Sequence, residues 1–217
     1  MAAGVLFFTL LARWVLSGAS MPFDTAIRAA VHAWASPPLT AVMLAITSLG
    51  AQFSMVPLGA ILVWHWAATG RRRLALHFAV LSLSAELLSQ LLKLAFARPR
   101  PPVFFRLSPA ETYSFPSGHA FVATVFYGLA AMVFLAGEPS RRKRAAIAAA
   151  AWLASLAIGF SRIYLGYHYP SDVLAGWTAA IAWLALAHQT TPAARLPSDP
   201  RGQRAGPGHA PPRAPRP

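Results

Sequence analysis

The sequence predicts an all-α protein: a polytopic integral membrane helical bundle of about six transmembrane helices, with short interfacial helices between the first two. Three observations carry that expectation. Only 12% of the 217 residues are charged and 56% are hydrophobic, whereas ordinary soluble domains carry about 25% charged residues. Six apolar stretches approach the roughly 20 residues that cross a bilayer: Gly4 to Ser17, Phe53 to Thr69, Leu74 to Leu92, Ala120 to Ala136, Ala145 to Phe160 and Val173 to Ala187. The positive charge, +13 net, is gathered in short connections and in the tail. A soluble helical protein with a buried core is the alternative, but six such stretches would leave it little polar surface.

The first stretch admits two readings. Ser17-Gly18-Ala19 resembles a signal-peptide cleavage site. There is no basic segment before the stretch, however, and Arg13 interrupts it. It is read as a first membrane helix, short enough that the true start of the chain is left open. Residues Met21 to Leu49 then lie outside. Asp24 is placed to cap a helix with Ile27, Val31 and Trp34 on one face, and Pro37-Pro38 ends it. Leu39 to Leu49 is too short to span alone, so the pair reads as interfacial or re-entrant helices.

The second crossing ends near Gly70. The third runs into Arg98-Pro99-Arg100-Pro101-Pro102, where prolines stop a helix. After a loop to Phe115 the fourth helix opens near Pro116, and the sixth opens near Pro170, a residue suited to a first helical turn. Residues 1–189 thus form one membrane-embedded domain. Residues 190–217, rich in Pro, Gly and Arg, read as a disordered cytoplasmic tail.

A strongly basic chain often binds nucleic acid, but the placement of the charge points away from it. Arg71 to Arg73 lie between helices two and three, Arg141 to Arg144 between four and five, and five arginines follow helix six. With six crossings all three clusters share one side. That is the positive-inside pattern of a multi-pass inner (cell) membrane protein with both termini cytoplasmic. Cysteine is absent, which excludes disulfides and thiolate metal sites.

The same topology brings the outward ends of helices three to six to one membrane face, together with the polar groups they carry. Polar groups at a membrane are costly and tend to be functional. Lys93 is one of two lysines against seventeen arginines. Alone it reads as a snorkelling anchor, but Arg100 seven residues on places two cations at one helix mouth. Arg98 is a third, either a partner in the site or a rim charge. Ser114-Phe115-Pro116-Ser117-Gly118-His119 looks like a helix start, whose free N–H groups bind anions. Gly118 admits a phosphate close to the backbone, Ser117 adds a hydroxyl, and His119 is placed to exchange a proton with a leaving oxygen. The plain alternative is a capped helix. Arg162 offers a planar fork for phosphate oxygens. His168 and Asp172, four apart, let the carboxylate reach Nδ1–H and leave Nε2 free to attack.

The six acids are Asp24, Glu86, Glu111, Glu138, Asp172 and Asp199. They do not cluster as a magnesium or two-metal phosphatase requires, so no metal or cofactor is expected and the cations must carry the charge stabilisation. Glu86 shares a polar helix face with Ser82, Ser89, Gln90 and Lys93, about 10 Å below Lys93 by helical rise. It reads as an inter-helix hydrogen bond from a protonated carboxyl, or as a lining that recognises a head group.

Three motifs in order, Lys93 with Arg100-Pro101, Pro116-Ser117-Gly118-His119, and Ser161-Arg162 with His168 and Asp172, resemble the type 2 phosphatidic acid phosphatase family, which also includes vanadium haloperoxidases. The resemblance spans roughly Leu49 to Ala187, with no departure at the motif positions. It implies a phosphohistidine on His168, oriented by Asp172. His119 would protonate the leaving group and then activate water, and Lys93, Arg100, Ser117, Gly118 and Arg162 would hold the phosphate. The implied function is a metal-independent lipid phosphatase or pyrophosphatase acting on phosphatidic acid, phosphatidylglycerophosphate or a polyprenyl diphosphate. A lipid phosphotransferase is the enzymatic alternative. A non-catalytic lipid-binding or transport protein would be expected to lose His119, His168 and Asp172. The membrane and a lipid phosphate are the expected partners, and nucleic acid is not.

Overall fold

The computed structural model describes residues 2–105, 107, 112–136 and 138–190. These form eight helices: α1 (Ala2–Leu16), α2 (Met21–His32), α3 (Pro37–Leu49), α4 (Gln52–Ala68), α5 (Arg72–Phe96), α6 (Gly118–Ala136), α7 (Arg141–Tyr164) and α8 (Pro170–Thr190). The expected disordered tail lies outside the described residues, apart from Thr190 at the end of α8.

Local chemistry sets most boundaries. Proline occupies the first turn of α2 and α3 and opens α8, where its missing N–H costs nothing. Ser140 caps α7 by accepting from the Lys143 amide at 3.4 Å. Helix α5 stops at Ala97, which is left-handed (φ 45°), just before the residue that must be extended ahead of Pro99.

Four helices, α5 to α8, are each long and apolar enough to cross a membrane. Two bent pairs pass the same test together: α1 with α2, turned by 91°, and α3 with α4, turned by 43°. The fold is therefore an all-α membrane bundle with four to six spans. Helix α2 lies across the end of α1, as an interfacial helix would. Helix α3 continues from α4 across the Gly50–Ala51 break, as a broken span or a re-entrant element would, and packs along α7. Its start is pinned there by Tyr164, whose hydroxyl meets Thr40 Oγ1 at 2.9 Å and accepts from the Ser36 amide at 3.3 Å. Of the apolar residues expected on one face of α2, burial within the bundle is uneven. Val31 is buried, but Ile27 and Trp34 are exposed.

Helix α6 is the central post, with Ala120, Phe121, Ala123 and Val125 fully buried against α5, α7 and α8. Leu76, Leu83, Leu87, Leu91 and Leu94 of α5 are exposed, the arrangement expected of a face solvated by lipid rather than water. One close approach fixes one end of the bundle: a Cβ at Gly176 of α8 would stand 2.8 Å from the Ser117 carbonyl oxygen, so only glycine lets α8 meet the start of α6 there. The starts of α6 and α8 and the ends of α5 and α7 meet at one end of the bundle. The basic turns before α5 and α7 lie at the other.

Candidate active site

The junction of these four helix termini encloses a cavity of about 220 Å3. Lys93, Arg100, Gly118, His119, Arg162 and His168 all line it. Lys93 comes from the last turn of α5, Arg100 from the proline-rich segment after it, and Gly118 and His119 from the first turn of α6. Arg162 comes from the last turn of α7. His168 sits in the turn between α7 and α8, which Gly166 enters at φ +83°, a left-handed conformation that favours glycine. The convergence read from the sequence is thus present in the fold.

The cations are held by neutral oxygens that leave their charge facing the cavity. Lys93 Nζ donates to the Tyr113 carbonyl at 2.9 Å. Arg162 donates to Thr47 Oγ1 of α3 at 2.9 Å and lies over the Tyr167 ring at 4.1 Å. Its Nε is buried and has no hydrogen-bond partner. Arg100 donates through Nε to the Thr112 carbonyl, and to Thr112 Oγ1 and the Tyr167 carbonyl, each at 2.9 Å. Three fixed cations and no lining carboxylate beyond Glu86 make this end of the cavity an anion site. Among the described residues, no three His, Asp or Glu side chains converge as a metal ion would need.

His168 is 1% exposed, and Arg100 Nη1 stands 3.2 Å from its Nε2. An arginine can only donate, so Nε2 is read as the acceptor and the ring proton as residing on Nδ1. Burial, then the cations Arg100, Lys93 and Arg162, hold the imidazole well below its usual pKa, against an opposing contribution from the Ser114 backbone. The ring is therefore neutral at neutral pH, as a nucleophile must be.

The Nδ1 side differs in detail from the sequence expectation. Asp172 Oδ2 stands 3.5 Å from Nδ1, long for a direct hydrogen bond. Ser114 Oγ lies at the same 3.5 Å from Nδ1 and donates to Asp172 Oδ2, and the Tyr169 amide donates to that oxygen at 2.8 Å. Asp172 and Ser114 thus face the Nδ1 side of the ring together. Ser117, expected to face the phosphate, is fully buried and does not line the cavity. Its Oγ faces the Ala120 amide at 3.5 Å, and its N–H donates to the Asp172 carbonyl at 3.0 Å, tying α6 to α8. His119 makes no hydrogen bond among the described residues.

Two groups carry more than their sequence signal suggested. Arg98 is a partner in the carboxylate network rather than a rim charge, its side chain 11% exposed: Nη1 donates to Asp172 Oδ1 at 2.6 Å and Nη2 to Asp24 Oδ2 at 2.8 Å. Burial works against its charge, but Asp172 and then Asp24 outweigh this and raise its pKa. Asp24 does not cap its own helix, whose N-cap is Ser20, because its carboxylate is spent on Arg98 and Ser171. The only cue to either contact was Arg98's place beside the Arg100-Pro101 motif. Glu86 does bridge helices: its Oε1 accepts from Gln52 of α4 at 3.1 Å and from Gln90 at 2.7 Å.

The buried pair His168 and Asp172 beneath converging cations, at one end of a bundle of candidate membrane spans, is an arrangement suited to phosphoryl transfer. Residues 74–196 match the model of the PAP2 superfamily, and the chain belongs to that family of membrane lipid phosphatases. It is 33% identical to phosphatidylglycerophosphatase B of Bacillus subtilis (strain 168) over 182 residues, covering 81% of this chain and 87% of the relative. It is 27% identical to an undecaprenyl-diphosphatase of Sulfolobus acidocaldarius, covering 68% of each. The fold superposes on the crystal structure of a transmembrane PAP2 type phosphatidylglycerolphosphate phosphatase from Bacillus subtilis with a TM-score of 0.80 at 29% identity, covering 87% of this chain and 94% of that one.

Proposed function

We propose that the protein hydrolyses the terminal phosphomonoester of a glycerophospholipid such as phosphatidylglycerophosphate, through a phosphohistidine on His168 and without a metal ion. The observation that carries the lipid half of this reading is a second cavity of about 400 Å3 between α4, α5 and α6. It is almost wholly apolar, and its walls include Val56 and Leu83, which are 67% and 71% exposed toward the surrounding bilayer. It shares Gln52, Met55, Glu86 and Val122 with the cationic cavity. A phosphate held by Lys93, Arg100 and Arg162 can therefore keep its hydrocarbon chain in lipid. A relative matched over 87% of its length is named phosphatidylglycerophosphatase B. A polyprenyl diphosphate is the second reading, supported by the match to an undecaprenyl-diphosphatase.

The geometry supports the following steps. His168 Nε2 attacks phosphorus, forming an N–P bond as the bond to the lipid oxygen breaks. Lys93, Arg100, Arg162 and the Gly118 amide hold the phosphoryl oxygens as charge spreads over them. His119 protonates the departing oxygen, then takes a proton from the water that cleaves the N–P bond. Asp172 and Ser114 hold the Nδ1 proton and stabilise the charged ring while phosphorus is attached. The positive-inside pattern supports a site on the extracytoplasmic face of the cell membrane, with both termini cytoplasmic.

The test is phosphate release by purified protein from a panel of phosphatidylglycerophosphate, phosphatidic acid and polyprenyl diphosphate in EDTA. The expected result is turnover in EDTA, fastest on the first, inhibited by vanadate, and lost in His168→Ala. A strict magnesium requirement, or activity surviving His168→Ala, overturns the mechanism. Transfer of the phosphoryl group to an added lipid alcohol rather than to water would make it a phosphotransferase.

A further inference from the structure

The segment α1–α2 lies ahead of the residues that match the family model, yet one of its side chains reaches the catalytic carboxylate network. We propose that Asp24 of α2 is a positioning residue for phosphoryl transfer: it holds the Arg98 guanidinium so that Arg98 takes one oxygen of Asp172 and leaves the other for Ser114 and His168. This rests on the assignment of His168 and Asp172 above.

Asp24 and Asp172 are both fully buried, 0% exposed, and a single guanidinium stands between them. Arg98 divides its fork, with Nη2 on Asp24 Oδ2 and Nη1 on Asp172 Oδ1. Ser171 completes the arrangement. Its amide donates to Asp24 Oδ1 at 2.9 Å, and its hydroxyl donates to Asp24 Oδ2 at 2.7 Å while accepting from Arg98 Nη1 at 2.8 Å. Tyr169 covers the flat face of the guanidinium at 4.2 Å. Every atom of the Asp24 carboxylate is thus engaged with the Arg98–Ser171 pair, and none faces the cavity.

An arginine offered one carboxylate takes both of its oxygens in parallel, the favoured bidentate geometry. Here the second nitrogen is already committed to Asp24. Asp172 Oδ2 stays with Ser114 Oγ and the Tyr169 amide, 3.5 Å from His168 Nδ1. Without the Asp24 charge the guanidinium is free to rotate onto Asp172 Oδ2, which would draw that oxygen away from the histidine side. A buried carboxylate left with no cation would also be costly, so the three charges stand or fall as a unit.

Asp24→Asn tests this directly, since an asparagine keeps an oxygen for the Ser171 amide and loses the charge that holds Arg98. With a lipid phosphate in mixed micelles, kcat should fall about 10- to 100-fold, the range typical of groups that orient a reacting ligand. KM should stay within about threefold, because Asp24 does not touch the phosphate. Arg98→Lys, which keeps a cation but cannot fork, should show the same split, and the double variant should be no slower than Arg98→Lys alone. A kcat within about twofold of wild type in Asp24→Asn overturns the proposal, as do losses that multiply in the double variant. Should Asp24→Asn fail to fold, Arg98→Lys decides by the same kcat criterion. Activity surviving His168→Ala would instead sink the functional reading itself, so the two failures are distinguishable.

Discussion

Arg100 Nη1 sits 3.2 Å from His168 Nε2, so a cation lies on the lone pair that the proposed attack on phosphorus would use. The arrangement has two effects. It keeps a proton off Nε2, and it requires Arg100 to turn toward the phosphate before the nitrogen can attack.

The first effect is visible in a pH profile. His168 is active when neutral, and its pKa is held well below 6.5 by burial first and by Arg100 second. Activity should therefore persist below pH 6.5 and fall only as His168 is protonated. Arg100→Gln removes the second cause and leaves the first, so the pKa rises toward 6.5 and the acidic limb of kcat/KM moves to higher pH. The phosphomonoester substrate has its own ionisation near pH 6, which both enzymes share, so the comparison between them reports the protein. Coincident acidic limbs would remove Arg100 from this role.

Ser114 bridges what the Asp172 carboxylate does not reach alone. Ser114→Ala should lower kcat about 10-fold, in the range of other ligand-orienting groups, with little change in KM. Thermal unfolding in detergent should show the cost of one lost buried hydrogen bond, about 1 kcal/mol. An unchanged kcat would show that Asp172 needs no hydroxyl between itself and the ring.

Among the described residues the His119 side chain makes no hydrogen bond, and it lines the cavity, which suits a group that works on substrate and water in turn. His119→Ala should slow release of the phosphoryl group from His168. With a substrate whose leaving group needs no protonation, such as a nitrophenyl ester, acid-labile phosphoenzyme should accumulate. Its absence after rapid mixing and denaturation, despite turnover, would place the water-activating role elsewhere.

Filling the apolar cavity separates chain binding from chemistry. Ala60 lines it, and Ala60→Phe should exclude a few methylenes, each worth about 0.8 kcal/mol. KM for a long-chain lipid phosphate should rise about tenfold or more, and kcat/KM for a short water-soluble ester should stay within about twofold. Equal effects on both substrates would mean the chain lies elsewhere.

What the sequence made legible followed from local spacing. Apolar length and loop charge gave the order of helices α5 to α8, and that order alone brings Lys93, Arg100, His119, Arg162 and His168 to one end. The Asp24–Arg98–Asp172 chain was not legible, because its partners are 74 residues apart on both sides and no helical period relates them. Ser117 was misplaced for a different reason. Its position in the motif is next to Gly118, but the first turn of α6 rotates it into the α8 contact while Gly118 and His119 face the cavity. For helix α3 length alone left interfacial and re-entrant readings open. The break at Gly50 bends the chain by only 43°, and Thr47 at its end supplies the oxygen that holds Arg162.

The two adjoining cavities, one cationic and one apolar, sort the products of a single reaction into different phases. On the proposed reading, orthophosphate leaves to water, while the dephosphorylated lipid slides sideways and never crosses an aqueous boundary. Encounter is then a two-dimensional event, governed by the mole fraction of substrate among its neighbours in the leaflet rather than by its bulk molarity. Diluting the membrane with inert lipid at fixed total substrate should slow the enzyme, whereas diluting the vesicles in buffer should not.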